Sequence, residues 1–491
     1  MRHALPSFLL ALAAVTGLHA QQTSPALDAV AAAMGGSDRV LAVRTLVLEG
    51  AGEMLSFGQN HTPEAETKFD ITTYRRAIDY GNRRWLADLT RVPRFTTANT
   101  SPQRVRMGVD GFPDPVAYNI TPAGAMTRAG GRAADDRVAE FVLHPVGFLL
   151  AAFSRGAEVS EEPGANGSTR IRLNVAGIKF AMDVNPHTPL PWRIERIVYH
   201  PMLGDVPLHT TLSEWADVGG LVLPMRLTQG YENLFVLSDL RLTAVRVNED
   251  AGNLAATDSV RAIVQAGQPA TPRVVVDSIA PGVWLIGGQS HHTIAIEQSD
   301  QLVLVEAPQN DARTLAAIAA ARALRPDKPV SLVVNTHHHF DHAGGLRAAA
   351  SERLTILTHE TNRPFYETVV MPRRHFIEQD ALARSGRGAR VRGVRDREVL
   401  RDRVRTIELH HVPNPHSGSM LVVYLPGEKL LIQADLYNPP APTATTVPAF
   451  PFVTSLTEFV GRRGLQVERV VGIHGRPVPY SELQAAARNA P

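Results

Sequence analysis

From about Arg44 to Asn248, apolar and polar residues alternate in short runs: "RTLVLEGAGEM", "TKFDITTYRRAIDY", "TRIRLNVAGIKFAMDV", "WRIERIVYH", "LHTTLSEWADV", "LVLPMRLTQGY" and "LFVLSDLRLTAVRV". A period of two marks strands that bury one face. Pro186, Pro189, Pro191 and the pair Gly219-Gly220 punctuate the runs as turn residues do. Residues 25–250 are therefore expected to form a mostly antiparallel β domain, as an open sheet or open barrel. The following stretch, "EDAGNLAATDSVRAIVQAGQPATP", mixes small and polar residues, and 251–272 is read as the linker. Beyond it the period changes. Strand-like runs ("VWLIG", "HHTIAIEQ", "QLVLVEAP", "VSLVVNT") interleave with helical ones ("ARTLAAIAAARAL", "AGGLRAAASERL"), which predicts an α/β domain over 273–491.

Composition narrows the function classes. A chain of 491 residues exceeds the size of a single core, and 44% hydrophobic with 20% charged residues is the balance of a folded protein. Fifty Lys+Arg against 48 Asp+Glu leave +2, too little for nucleic acid to be the partner; a small-molecule substrate fits better. Residues 1–20, "MRHALPSFLLALAAVTGLHA", read as a signal peptide: Arg2 precedes an apolar run too short to span a bilayer, and Ala20 closes it. Export to the periplasm or the medium is the expectation. No other run reaches spanning length, so no transmembrane segment is expected. With no cysteine in the chain, thiolate ligands and disulfides are ruled out. The arginine-dense stretch 384–405 also carries Asp396, Glu398 and Asp402 and is read as a solvated face, with anion binding as the alternative. Oligomeric state leaves no mark on the sequence.

The chemistry concentrates in "NTHHHFDHAGG", residues 335–345. "PVSLVVNT" has the unbroken apolar character of a strand buried on both faces, so His337 emerges at its carboxyl end, where α/β folds place ligand chemistry. In an extended segment residues two apart share a side. His337 and His339 can then hold one cation, Asp341 and His342 a second, and His338 points away. Unpaired imidazoles at such density would repel one another when protonated, unless something keeps them neutral. His416 in "NPHSGSM", Asp435 at the end of "KLLIQAD" and His474 at the end of "RVVGIH" lie at further strand ends and complete a constellation.

His337-His339-Asp341-His342, followed by His416, Asp435 and His474, resembles the metallo-β-lactamase superfamily, specifically its glyoxalase II and lactonase branch, over about residues 273–480. The resemblance implies an αββα sandwich with a dinuclear site at one sheet edge. His337, His339 and His416 would hold the first metal, Asp341, His342 and His474 the second, and Asp435 would bridge. One departure is Glu306 in "VLVEAP", where many members carry Asp; the hydrogen bonding behind the metal ligands is expected to differ there. In the first half, "LPWRIERI" followed by "SEWADVGGLVLPMRLT" resembles the half-barrel of periplasmic lipoprotein carriers, which implies an apolar ligand. The other reading is a sheet that packs against its neighbour.

Nitrogen and carboxylate ligands suit two zinc ions, and iron is compatible with the same set. The expected reaction is attack by a metal-bridging hydroxide on an ester, thioester or lactone, with Asp341 orienting it and moving its proton. The alternatives are β-lactam hydrolysis, an iron-dependent persulfide dioxygenase-like activity, and a binding protein whose first domain holds an apolar molecule. Tyr437 and His292 are the candidate substrate contacts; His291 and Asn438 flank them. The insertion 362–405 is expected to roof the pocket.

Overall fold

In the computed structural model the described residues are 24–95, 100–111, 114–130, 132–232, 234–263, 272–440 and 451–490. The signal-peptide reading of 1–20 and the 264–271 part of the linker lie outside them.

The alternating runs form a large antiparallel sheet of thirteen strands. Its first strand, Thr45–Leu55, lies in the middle, paired on one side with Lys68–Asp79 and on the other with the last strand, Phe235–Val247. From this seam the sheet runs out in sequence order to Met126–Arg128 at one edge and Glu158–Pro163 at the other. The run "TRIRLNVAGIKFAMDV" is two strands, because Ala176 and Gly177 both take positive φ (52° and 80°) and reverse the chain, as a two-residue hairpin requires.

One face of the sheet is covered by the chain's own helices. Leu27, Val30 and Met34 of the first helical segment pack with Leu46, Ile78, Trp85 and Ile171 of the strands. The helix Pro145–Ala152, "PVGFLLAA", is buried at every position, as an all-round apolar helix must be. Its Val146, Phe148 and Leu149 join the same core as the strands. What remains beside Tyr80, Phe141, Leu150 and Phe180 is a cavity of about 50 Å³, against roughly 300 Å³ or more for ordinary ligand pockets. The beginning of the linker is packed too: Ala251 and Leu254 are buried, and Tyr118 donates its hydroxyl to the Leu254 carbonyl at 2.8 Å.

The second half has two sheets. Seven strands run from Val275–Ala280 to Arg390–Val394, with Leu302–Val305, Val330–Val334, Thr355–His359 and Arg390–Val394 parallel. Six strands run from Arg397–Arg401 to Val478–Pro479. A core of Ile294, Val303, Val305, Val334 and Leu357 from one sheet with Ile407, Leu421, Val423 and Ile432 from the other lies between them. Ala317, Ile318 and Ala321 of the helix Asp311–Leu324 cover the far face of the first sheet. Leu456, Phe459 and Leu483 of the last two helices cover that of the second. Both sheets present strand ends on the side where the histidines sit. Among the described residues no helix is long and apolar enough to cross a membrane.

Candidate metal centre

The strand Val330–Val334 ends in Asn335 and Thr336, both fully buried, and the chain then turns through His337–His339 into the short helix Phe340–Ala343. Behind this turn stands Glu306, one residue past the strand Leu302–Val305 and tied to it through its backbone N–H on the Val334 carbonyl (2.8 Å). Its carboxylate accepts from Thr336 Oγ1 (2.5 Å), Asn335 Nδ2 (3.2 Å) and Thr336 N (3.3 Å) and contacts His342 Nδ1 at 3.0 Å. Glu306 has φ +81°, a strained conformation for a non-glycine residue of the kind that clusters at functional sites. Glu306 thus supplies hydrogen bonding behind His342 and the turn that carries His337. The departure from Asp thus leaves an acceptor in place behind His342.

The candidate ligands fall into two groups whose donor atoms lie within 4.8 Å of one another: His337, His339, His416 and Asp435; and His291, Asp341, His342 and His474. Asp435 stands between them. Its Oδ2 is 3.4 Å from His337 Nε2, 3.2 Å from His416 Nε2 and 3.1 Å from His342 Nε2, and its Oδ1 is 3.0 Å from His474 Nε2. It reaches this place from a left-handed backbone, φ +61°, which Asp tolerates better than most residues.

Burial favours the neutral ring at His337, whose pKa falls to about 4, helped by the charge of His342; His339 is held well below its ordinary value by burial and by His337 and His416. His342 goes the other way. Burial opposes its charge, yet Asp435 and Glu306 outweigh that and raise it well above the usual range. Asp435 answers it: burial would raise its pKa, but His342, His337 and His416 hold it well below the carboxylate range. Asp341 is likewise held low against burial, first by His291 and then by His342. His337 Nε2 and His339 Nδ1 are buried without hydrogen-bond partners. A ring of imidazole nitrogens around a low-pKa carboxylate, with bare lone pairs facing inward, is a donor set that fits metal cations.

His338 does turn away, and its ring is buried with Nδ1 3.1 Å from Ser419 Oγ. His291, whose neighbour was the stronger substrate candidate, sits in the second group with Nε2 3.2 Å from Asp341 Oδ2. His292 holds the Gly475 carbonyl at 2.8 Å, next to His474. Tyr437 is buried in the core under the last helices, and its hydroxyl donates to Glu482 at 3.2 Å. The insertion docks on the β-rich half: Arg373 makes two bonds to Glu232 (2.8 and 3.1 Å), and Phe376 N donates to Asp205 Oδ2 (2.6 Å). Of the arginine-dense stretch, Arg392 and Arg397 pair with Glu398 and Glu408, and Arg405 is buried against Glu428 and three backbone carbonyls. Two hydrogen bonds to the candidate ligands' own side chains come from the other half of the chain. Gln59 Nε2 donates to Asp341 Oδ1 at 2.7 Å, and the Asn60 carbonyl accepts from His339 Nε2 at 2.9 Å.

Residues 286–458 match the family model described as Metallo-beta-lactamase superfamily. These residues carry a metallo-β-lactamase superfamily domain. Glu306, His291 and six of the seven expected ligands lie within the matched residues of this metallo-β-lactamase domain, and His474 lies beyond them. A curated relative, the 2,4-dinitroanisole O-demethylase subunit alpha of Nocardioides sp. (strain JS1661), is 27% identical over 205 residues, 41% of this chain; the match spans 58% of that relative's length. The metallo-β-lactamase from Pontibacter korlensis aligns at 20% identity and TM-score 0.34, covering 44% of this chain and 98% of that one. The metallo-β-lactamase from Hirschia baltica aligns at 21% and 0.33, covering 44% and 96%.

Proposed function

We propose that the protein is an exported zinc-dependent hydrolase of the glyoxalase II-like branch that cleaves an ester, thioester or lactone at a dinuclear site. The observation that carries this reading is Asp435, whose two carboxylate oxygens each face histidines, with His337 and His416 of one group and His342 and His474 of the other within 3.4 Å. A carboxylate so placed offsets two adjacent dications. His337, His339 and His416 would hold the first cation and Asp341, His342 and His474 the second. The double-sheet core with helices on both outer faces supports the αββα reading. Bound cations supply an activated water at neutral pH and polarise the scissile carbonyl.

The chain's own residues do the rest. Glu306 fixes the His342 ring by holding its Nδ1 and leaves Nε2 facing the site. The Ser290 carbonyl does the same for His474 through Nδ1 at 3.0 Å. Asp341, held ionised by His291 and His342, can accept the proton released by the attacking water and pass it to the leaving group. The test is metal analysis of the purified protein with a panel of esters, lactones, thioesters, β-lactams and aryl methyl ethers. Two zinc ions per chain and turnover of the carbonyl oxygen esters support the proposal. Turnover confined to β-lactams moves the reading to the amide bond. Oxygen-dependent turnover with one iron overturns it.

A further inference from the structure

The loop joining the first two strands of the large sheet, residues 56–67, is built to be held in one shape. Ser56 N donates to the Thr67 carbonyl (2.7 Å), Gln59 N to the Ser56 carbonyl (3.0 Å) and His61 N to Thr67 Oγ1 (3.0 Å). The Phe57 ring is wedged among His200, Tyr231, Phe235 and Phe340, with centroids 5.0 to 5.4 Å away. Four consecutive residues of this loop then meet the metal-ligand loops. The Gly58 carbonyl accepts from Phe340 N (3.0 Å), Gln59 Nε2 donates to Asp341 Oδ1 (2.7 Å), the Asn60 carbonyl accepts from His339 Nε2 (2.9 Å), and the His61 carbonyl accepts from Gly418 N (2.8 Å), two residues past His416.

Each contact has a consequence for a ligand. A carbonyl can only accept, so the proton of His339 is on Nε2 and its lone pair is on Nδ1, the buried nitrogen without a partner. Asp341 has both oxygens engaged, Oδ1 by Gln59 and Oδ2 by His291, which fixes the carboxylate plane. The approach is close: Gly58 has φ +77°, and a Cβ there would lie 2.5 Å from Phe340 Cδ2.

Resting on the dinuclear reading above, we infer that the β-rich half completes the metal centre: residues 58–61 position His339 and Asp341, and Gln59 is a positioning residue for the second cation. Outer partners of this kind typically contribute 10- to 100-fold in metal affinity. This assigns the large sheet a role that a ligand-carrying half-barrel does not predict.

The test uses the full chain, stripped of metal and titrated with cobalt(II), followed by its visible spectrum, and with zinc in competition with a chromophoric chelator. Gln59→Met keeps length and volume but has no N–H to donate, and Gln59 is exposed, so folding is retained and the melting temperature unchanged. The expected result is a second cation bound about 10- to 100-fold more weakly, the first unchanged, and an altered cobalt spectrum. Gly58→Ala, which pushes the loop off Phe340, weakens both. A wild-type chain that binds two cations, with Gln59→Met and Gly58→Ala matching it in affinity and spectrum, overturns the inference and leaves the dinuclear reading intact. A wild-type chain that binds no cation overturns both.

Discussion

Glu306 Oε2 and His342 Nδ1 are 3.0 Å apart, and neither side chain reaches solvent. The pair places a buried acceptor behind a candidate ligand, where the ring's other nitrogen faces Asp435. Glu306→Gln keeps the shape but gives up the charge that helps raise the His342 pKa. Metal affinity at the second site falls by about 10- to 100-fold, read by chelator competition. Glu306→Ala also strands the donors of Asn335 and Thr336, and its unfolding free energy falls by about 3 kcal/mol or more in denaturant titrations.

A second prediction separates two adjacent rings. His339→Ala removes an inward lone pair from a site with none to spare, so metal content and activity fall together. His338→Ala removes a ring that packs on Ser419 instead. It costs about 2 kcal/mol of stability through the cavity left by the ring, with metal content retained. Metal analysis of both variants checks it; equal loss would mean that the alternation of this turn is misread.

Asp435→Asn preserves volume and removes the single negative charge that His342, His337 and His416 hold in the ionised form. Both cations lose affinity, because the charge lies between the two groups, whereas a ligand confined to one group would weaken one. Two-step zinc titration distinguishes the outcomes. If only one step shifts, Asp435 is not shared.

The site was legible where its ligands are contiguous. His337 to His342 lie on a strand end and the first turn of a helix, so the period of two alone tells inward from outward rings. His416, Asp435 and His474 follow as residues at strand ends. His291 and His292 were harder, since two neighbouring histidines in an irregular loop carry no period, and it is His291 that faces Asp341. Glu306 reads in the sequence as a departure from a family pattern, and only the structure shows its carboxylate meeting Asn335, Thr336 and His342. Gln59 and Asn60 left no signal. They are ordinary residues in a turn, nearly three hundred positions from their partners. The strands were legible through alternation, while the buried helix Pro145–Ala152, apolar on every side, has no period to detect.

The last prediction concerns that helix. His144 caps its amino terminus, Nδ1 accepting from Val146 N at 3.3 Å, ahead of Pro145 at the first helical position. A protonated ring cannot accept there, and burial, with Arg76 adding to it, lowers the His144 pKa to about 3 from the ordinary 6.5. The folded state therefore binds fewer protons than the unfolded one between those values. The neutral-ring stabilisation is complete above about pH 6.5 and declines as the pH falls towards 3, by at most about 1.4 kcal/mol per unit. Other half-buried histidines, such as His200 and His209, both lowered to about 4 by desolvation, add to the same slope, so the readout is a difference. His144→Ser retains a capping oxygen but cannot titrate. Urea unfolding followed by tryptophan fluorescence suits the β-rich half, which holds Trp85, Trp192 and Trp215 of the four tryptophans. The variant is less stable than wild type at pH 7.5 because of the cavity left by the ring, and the gap narrows steadily down to pH 4.5. A gap that stays constant over that range would show that His144 is not the titrating cap.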